Sequence, residues 1–371
     1  MERQIIIHQP QHVQIGAGSA AKASDWAAEF KKIMIFTSKS VAGLAPKLGL
    51  NPSVEIYANI TAEPADYVLN AALEAAKRYQ PDAIIGLGGG SVMDIAKLVC
   101  VMWAGQQQLE DIVGPNKVLQ RFSKLALIPT TAGTGSEAGI RALVTNSETN
   151  AKMAVESPLM CADLTILDPE LTLSVPPALT AVTGIDAMAH CVEAFTNIHA
   201  HPVIDGYARM GFGAVGKYLE RSVKDRADKE ARAGMMLASY YGGICLGPVN
   251  TAAGHALAYP LGTKLKLPHG LANALIFPHV LSFNQPVCPH KTNEVLVSLG
   301  KSSVTDSQTA FEQAYQFCQS LGIDMKLSSY GAQKGQLRSF AEEAYSIRRL
   351  MDNNPRNMSI EDIEQIYQIA F

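Results

Sequence analysis

Apolar residues form two kinds of pattern along this chain. In the first half they make short runs at residues 5–7, 33–37, 83–87 and 125–128, which with the more polar 12–15 read as β-strands. Between them, 64–79 puts Val68, Leu69, Ala72, Leu73 and Ala76 on one helical stripe, and 91–104 also reads as a helix. Strands alternating with helices predict a parallel sheet with helices on its faces. Past Ser174-Val175-Pro176-Pro177 the strand signals thin out. Helical spacing runs through 183–197, 203–219, 228–245, 307–321, 337–351 and 359–370, where Ser359 and Asp362 fit a capping box. The expected organisation is an α/β domain over 1–175 and a helical domain over 176–371, with no repeat and no long linker.

Composition agrees with two cores. A chain of 371 residues exceeds what one core usually supports, and 47% hydrophobic residues suffice for two. Lys plus Arg is 31 against 34 Asp plus Glu, so nothing points to nucleic acid or an anionic membrane as partner. The six cysteines form no C-x-x-C pair, which suits reduced thiols in a cytoplasmic protein. The N-terminus lacks a signal-peptide core, and no run of ~18 apolar residues predicts a membrane span.

Two loops follow strands. Gly86-Leu87-Gly88-Gly89-Gly90-Ser91 leads into a helix. Glycines let a backbone approach a ligand closely, and free N–H groups at a helix start suit a phosphate. Pro129-Thr130-Thr131-Ala132-Gly133-Thr134-Gly135-Ser136-Glu137 carries four hydroxyls at the end of another strand, where open α/β sheets bind ligands. Together they predict a nucleotide site. Gly16-Ala17-Gly18-Ser19-Ala20-Ala21 matches G-x-G-x-x-A, but its strand is polar, and it reads as structural.

The helical half carries metal-ligand chemistry. Asp186 and His190 are one helical turn apart in Gly184-Ile185-Asp186-Ala187-Met188-Ala189-His190, and His255 and His269 follow in apolar surroundings. An Asp-x3-His pair alone is better explained by a surface carboxylate and a packed imidazole. Buried among alanines, however, one carboxylate and three imidazoles must be paired or coordinated, and they form a candidate cage for a divalent metal. Cys191 lies off the Asp186 face and is excluded as a ligand. The other histidines are read as structural or surface residues.

Taken in order, Gly88-Gly89-Gly90-Ser91-x-x-Asp94-x-Ala96-Lys97, Pro129-Thr130-Thr131-x-Gly133-Thr134-Gly135-Ser136-Glu137, Gly184-x-Asp186-Ala187-x-Ala189-His190 and Pro268-His269-Gly270-Leu271-Ala272-Asn273 resemble the iron-containing (group III) alcohol dehydrogenase family. The resemblance spans roughly residues 30 to 285. It implies a dinucleotide-binding α/β domain and an all-helical C-terminal domain in a dehydroquinate-synthase-like architecture, with metal and nicotinamide meeting in the cleft between them. It also implies Asp186, His190, His255 and His269 as ligands of one divalent ion, Fe(II) or Zn(II). It implies NAD(P) contacts from Gly89, Gly90, Ser91, Thr130, Thr131, Thr134 and Lys152, with Gly88 and Asp94 of the first motif in the same site. Members interconvert alcohols with aldehydes or ketones and are commonly dimers or larger, so a homodimer is expected.

Two positions depart from the family pattern. Many members carry a relay His one turn after the third ligand, where this chain has Tyr259. Tyr259 is either a hydrogen-bond donor to the substrate or a packed aromatic. NAD-preferring members often have Asp where Ser38 stands. A carboxylate there would repel the 2′-phosphate of NADP. Ser38 lacks that repulsion, so NADP is expected to be accepted and NAD stays open. The expected reaction is hydride transfer between the nicotinamide and the carbon of a small alcohol or aldehyde whose oxygen is held by the metal as Lewis acid. A metal- and NAD-dependent lyase or cyclase of dehydroquinate-synthase type and a non-catalytic nucleotide-binding protein are the alternatives. The first would need more basic residues near the ligands than Lys264 and Lys266 supply, and the second leaves four ligand-type residues without a role.

Overall fold

The structure is a computed structural model that describes residues 3–51, 54–149 and 151–371. It divides into two compact units, Ile6–Val175 and Pro176–Phe371, the latter joined by residues before Ile6.

In the first unit the strands are β1 (His12–Ile15), β2 (Ile33–Phe36), β3 (Glu55–Tyr57), β4 (Ala83–Gly88), β5 (Gly114–Pro115), β6 (Lys124–Pro129), β7 (Arg141–Thr145), β8 (Lys152–Glu156) and β9 (Leu164–Leu167). Its helices are α1 (Ala23–Ala27), α2 (Asp66–Tyr79), α3 (Gly90–Met102) and α4 (Leu109–Ile112). Among the described residues the main sheet has the order β1-β9-β6-β4-β2-β3, and every pairing in it is parallel. β2 and β4 are buried at every position, which is why their sequences are unbroken apolar runs. Alternate side chains feed two apolar clusters. Met34, Phe36, Ile84 and Leu127 meet α2 and α3, whereas Ile33, Ile35, Ile85 and Ile128 share a cluster with Ala23 and Leu48. The predicted stripe of α2 is buried, with Asp66 in its first turn and Lys77 and Arg78 in its last, as the helix dipole favours.

Several expectations need correcting. Residues 5–7 form no strand. β2 lies between β3 and β4, so Ser38 follows an interior strand. β3, β9 and the antiparallel pair β7–β8 are strands beyond those expected; β3 has three residues, and β7 is buried at alternate positions. Gly16–Ala21, read from the sequence as structural, is held by Asp168, which accepts hydrogen bonds from the Gly18 and Ala20 N–H groups.

The second unit holds α5 (Pro177–Thr196), α6 (Pro202–Lys224), α7 (Lys229–Leu246), α8 (Ala253–Leu265), α9 (His269–Asn284), α10 (Pro289–Ser298), α11 (Ser307–Ser320), α12 (Leu337–Ser346), α13 (Arg348–Met351) and α14 (Ile360–Ala370). α5 is buried almost all round from Gly184 to Thr196 and packs against α6, α7 and α9. The predicted helix over 337–351 is broken at Ile347, whose ψ of 59° lies outside helical geometry. The capping box at Ser359 and Asp362 is present. No helix among the described residues is long and apolar enough to cross a membrane.

Glu137 sets a pH dependence for the α/β unit. Its carboxylate is buried, and neither oxygen has a hydrogen-bond partner. Burial pushes its pKa from 4.5 to about 7, outweighing the pull of its own backbone N–H and, less strongly, of the Lys97 charge. Between these values the unfolded chain is ionised while the folded protein keeps its proton. Stability therefore falls as pH rises from 4.5 to about 7 and is flat above. The loss attributable to this group is on the order of 3 kcal/mol. Denaturant melts of Glu137→Gln should show this part of the slope removed and the variant more stable than wild type at pH 8. Parallel profiles for the two proteins would contradict the assignment.

Candidate metal centre and cofactor loops

The four metal-ligand candidates all lie in the helical unit. α5 begins at Pro177, where a missing N–H breaks no helical bond. Asp186, His190 and Glu193 then recur at i, i+4 and i+7 and share one face. α8 supplies His255 and, one turn later, Tyr259; α9 opens on His269 directly after Pro268. The chain thus converges on a single carboxylate oxygen. Asp186 Oδ1 stands 3.8 Å from His190 Nε2, 3.7 Å from His255 Nε2 and 3.6 Å from His269 Nε2. One ligand atom from each residue falls within 4.8 Å of the others. A metal ~2.1 Å from four donors would set them about 3.4 Å apart in a tetrahedron, so the spacing fits one ion.

Electrostatics point the same way. Burial disfavours the Asp186 carboxylate, but the three imidazoles and the Asn273 amide outweigh it and hold its pKa below the usual value. Burial pushes His190 down to about 4, leaving it neutral with a lone pair to give. Burial also disfavours a charged His255, yet the Glu193 carboxylate prevails and raises its pKa. Asn273 Nδ2 lies 2.7 Å from Asp186 Oδ1 and 3.2 Å from Nε2 of both His255 and His269. Its two N–H groups face three acceptors, a positive pole where lone pairs converge. A dication meets that demand far better. His190 Nδ1 and Asn273 Oδ1 are buried without partners, so the polar groups here are incompletely satisfied by the protein alone.

Tyr259 stands at the side of this cluster. Its ring centroid is 6.3 Å from that of His269, and its hydroxyl accepts a hydrogen bond from Arg349 Nη2 at 3.2 Å. Cys191 faces Gly211 and the Ala238 carbonyl. His279 is buried against Phe311, outside the cluster. Sequence reasoning missed Glu193, Asn273 and Arg349 as site residues. Glu193 was the most accessible of them, being an acidic residue on the Asp186–His190 face in an otherwise apolar helix.

In the α/β unit the two loops are packed on each other at the C-terminal ends of β4 and β6. Thr130 N donates to Gly88 O at 3.0 Å. A Cβ on Gly89 would lie 3.2 Å from Thr131 Oγ1, and one on Gly90 would lie 2.7 Å from Thr134 Cγ2 and Oγ1. The second loop therefore already requires glycine at position 90. Gly89 opens α3 as its N-cap, and Ser91 Oγ accepts from Glu63 N. Glu63 in turn pairs with Lys152, which brings Lys152 to the same place. Asp94 braces the loops, accepting from Ser136 Oγ at 2.6 Å and from Leu143 N at 3.1 Å. Ser38 lies two residues beyond Phe36, the partner of Gly86, and its hydroxyl meets that of Ser40 at 3.1 Å.

Removing one metal ligand tests the cluster. His269 is the most exposed of the four, so His269→Ala should fold. Metal content by mass spectrometry should fall from about one ion per chain to a small fraction, because losing one of four ligands weakens and distorts the site. Undiminished metal content in the variant would contradict the assignment.

Comparison with known proteins gives the same answer over the whole chain. Residues 10–169 match the family model described as iron-containing alcohol dehydrogenase, and residues 180–371 match that of the Fe-containing alcohol dehydrogenase family, C-terminal. The long-chain-alcohol dehydrogenase 1 of Geobacillus thermodenitrificans is 34% identical over 86% of this chain and 82% of its own. The crystal structure of a 1,3-propanediol oxidoreductase superposes with a TM-score of 0.93 at 28% identity, covering 100% of both chains. The sulfoacetaldehyde reductase of Bifidobacterium kashiwanohense, solved in complex with NAD+, gives 0.90 at 25% identity over 99% of each. The chain belongs to the iron-containing alcohol dehydrogenase family, whose work is metal-dependent, NAD-linked interconversion of alcohols and aldehydes.

Proposed function

We propose that Asp186, His190, His255 and His269 hold Fe(II), and that Gly88, Gly89, Gly90, Ser91, Thr130, Thr131 and Thr134 cradle the diphosphate of the dinucleotide. The observation that carries the reading is the convergence of three imidazole nitrogens on Asp186 Oδ1 at 3.6–3.8 Å in a buried pocket. The family's description speaks for iron; the N/O donor set itself admits zinc as well. When bound, the metal supplies Lewis acidity to a substrate oxygen and the nicotinamide accepts or gives hydride.

The remaining work falls to the chain. Neutral His190, with His255 and His269, directs nitrogen lone pairs toward the site, while apolar neighbours such as Ala187, Ala189, Ala256 and Leu257 exclude water. Tyr259 takes the part of the relay His found in other members. Its oxygen already accepts from Arg349, which leaves its own O–H proton to be passed toward the substrate. Tyr259→Phe keeps the ring and removes that proton. It should lower kcat about tenfold or more and flatten or shift its pH profile. Unchanged kinetics across pH would leave Tyr259 as packing alone.

The cofactor is NAD(H), with NADP(H) accepted at Ser38. No carboxylate is hydrogen-bonded to Ser38, whose hydroxyl meets only that of Ser40 in the described network. Comparing kcat/KM for both cofactors tests this. Ser38→Asp should shift preference toward NAD by about tenfold, or ~1.4 kcal/mol. Rejection of NADP by wild type, or no effect of the substitution, would remove Ser38 from the ribose site.

A further inference from the structure

The face of α5 that carries Asp186 and His190 continues to Glu193, a buried carboxylate with both oxygens engaged. Oε1 lies 2.6 Å from His255 Nδ1. Oε2 accepts from the backbone N–H of Ala252 at 2.6 Å and of His255 at 3.3 Å. Ala252 is the N-cap of α8 and has no capping side chain of its own, so Glu193 caps α8 from another helix. The fit is close: a Cβ on Gly254 would lie 2.6 Å from Oε1, which explains glycine there.

We propose that Glu193 is the positioning residue of the metal site, fixing His255 in the tautomer that binds metal. An ionised carboxylate only accepts hydrogen bonds, so the His255 ring proton must sit on Nδ1. Nε2 is then left with its lone pair, and Nε2 is the atom that faces Asp186 Oδ1 at 3.7 Å and Asn273 Nδ2 at 3.2 Å. His190 has no such partner, since its Nδ1 is unbonded. Among the buried ligands, the dependence on a carboxylate behind the ring therefore falls on His255. The same bond ties ring orientation to the start of α8, so the ligand and the helix that carries it are set by one side chain. Carboxylate partners behind metal-bound histidines fix the tautomer and raise ligand basicity in this way.

The inference rests on the metal-site reading, and the test separates the two. Glu193→Gln keeps size and shape. One amide oxygen can still satisfy the two backbone N–H groups, but the amide N–H then points at Nδ1, forcing the ring proton onto Nε2, into the cage. In the full-length protein, affinity for Fe(II) or Zn(II) is measured by competition with a chelator. The His255 tautomer is read from imidazole 15N shifts, and folding from the melting temperature of metal-free protein. Glu193→Gln should bind metal about 10- to 100-fold more weakly, with the His255 proton moved to Nε2 in the metal-free protein. Gly254→Ala, which displaces the carboxylate without removing it, should weaken binding in the same direction and keeps the test intact if the glutamine variant does not fold. Wild-type affinity and an unchanged tautomer in Glu193→Gln would overturn the role of Glu193, as would a lower melting temperature with unaltered affinity. Failure of the wild type itself to bind metal would instead overturn the proposed function.

Discussion

The helical unit is organised around a buried carboxylate that no Arg or Lys among the described residues neutralises. Asp186 is 2% exposed and faces three imidazoles across 3.6–3.8 Å. Burying a charge in such a place is costly, and here the three imidazoles and the Asn273 amide keep it ionised. Glu193, seven residues on, adds a second buried negative charge. Two carboxylates and one dication sum to zero. The arrangement of α5, α8 and α9 therefore makes electrostatic sense around a divalent cation, and the incomplete hydrogen bonding of His190 and Asn273 has the same origin.

The α/β unit follows a different logic. Its two loops, at the ends of the parallel strands β4 and β6, brace each other. Asp94 and the buried Lys97 hold the second loop: Lys97 Nζ donates to Ser136 Oγ at 2.9 Å and to Arg141 O at 2.8 Å. Gly90 has no side chain because Thr134 occupies the space. Glycines first read as making room for phosphate are thus also demanded by the loop beside them.

Much of this was legible in the sequence, for identifiable reasons. Fully buried parallel strands such as β2 and β4 are continuous apolar runs, and the stripe of α2 has clean helical spacing. The candidate ligands stood out as charged and ionisable residues in alanine-rich surroundings. What escaped notice lacked a periodic or compositional mark. β9 is a four-residue run containing Thr165, and α9 is apolar on nearly every face, so it shows no stripe. Glu193 and Asn273 belong to the site through contacts 62 and 18 residues away with His255, a relation that no local spacing encodes. Arg349 comes from a short helix behind the break at Ile347 and reaches Tyr259 across 90 residues.

In the proposed function, one metal ion in the Asp186 cage enables the reaction of a chain that otherwise provides binding and orientation. The direct measurement is a titration of Fe(II) into chelator-stripped protein under anaerobic conditions, following NADH formation from a primary alcohol at 340 nm. Activity should rise linearly and break sharply at about one equivalent per chain, with metal-free protein inactive but still able to bind NAD. Full NADH formation by demonstrably metal-free protein, or a break at a different stoichiometry, would contradict the account.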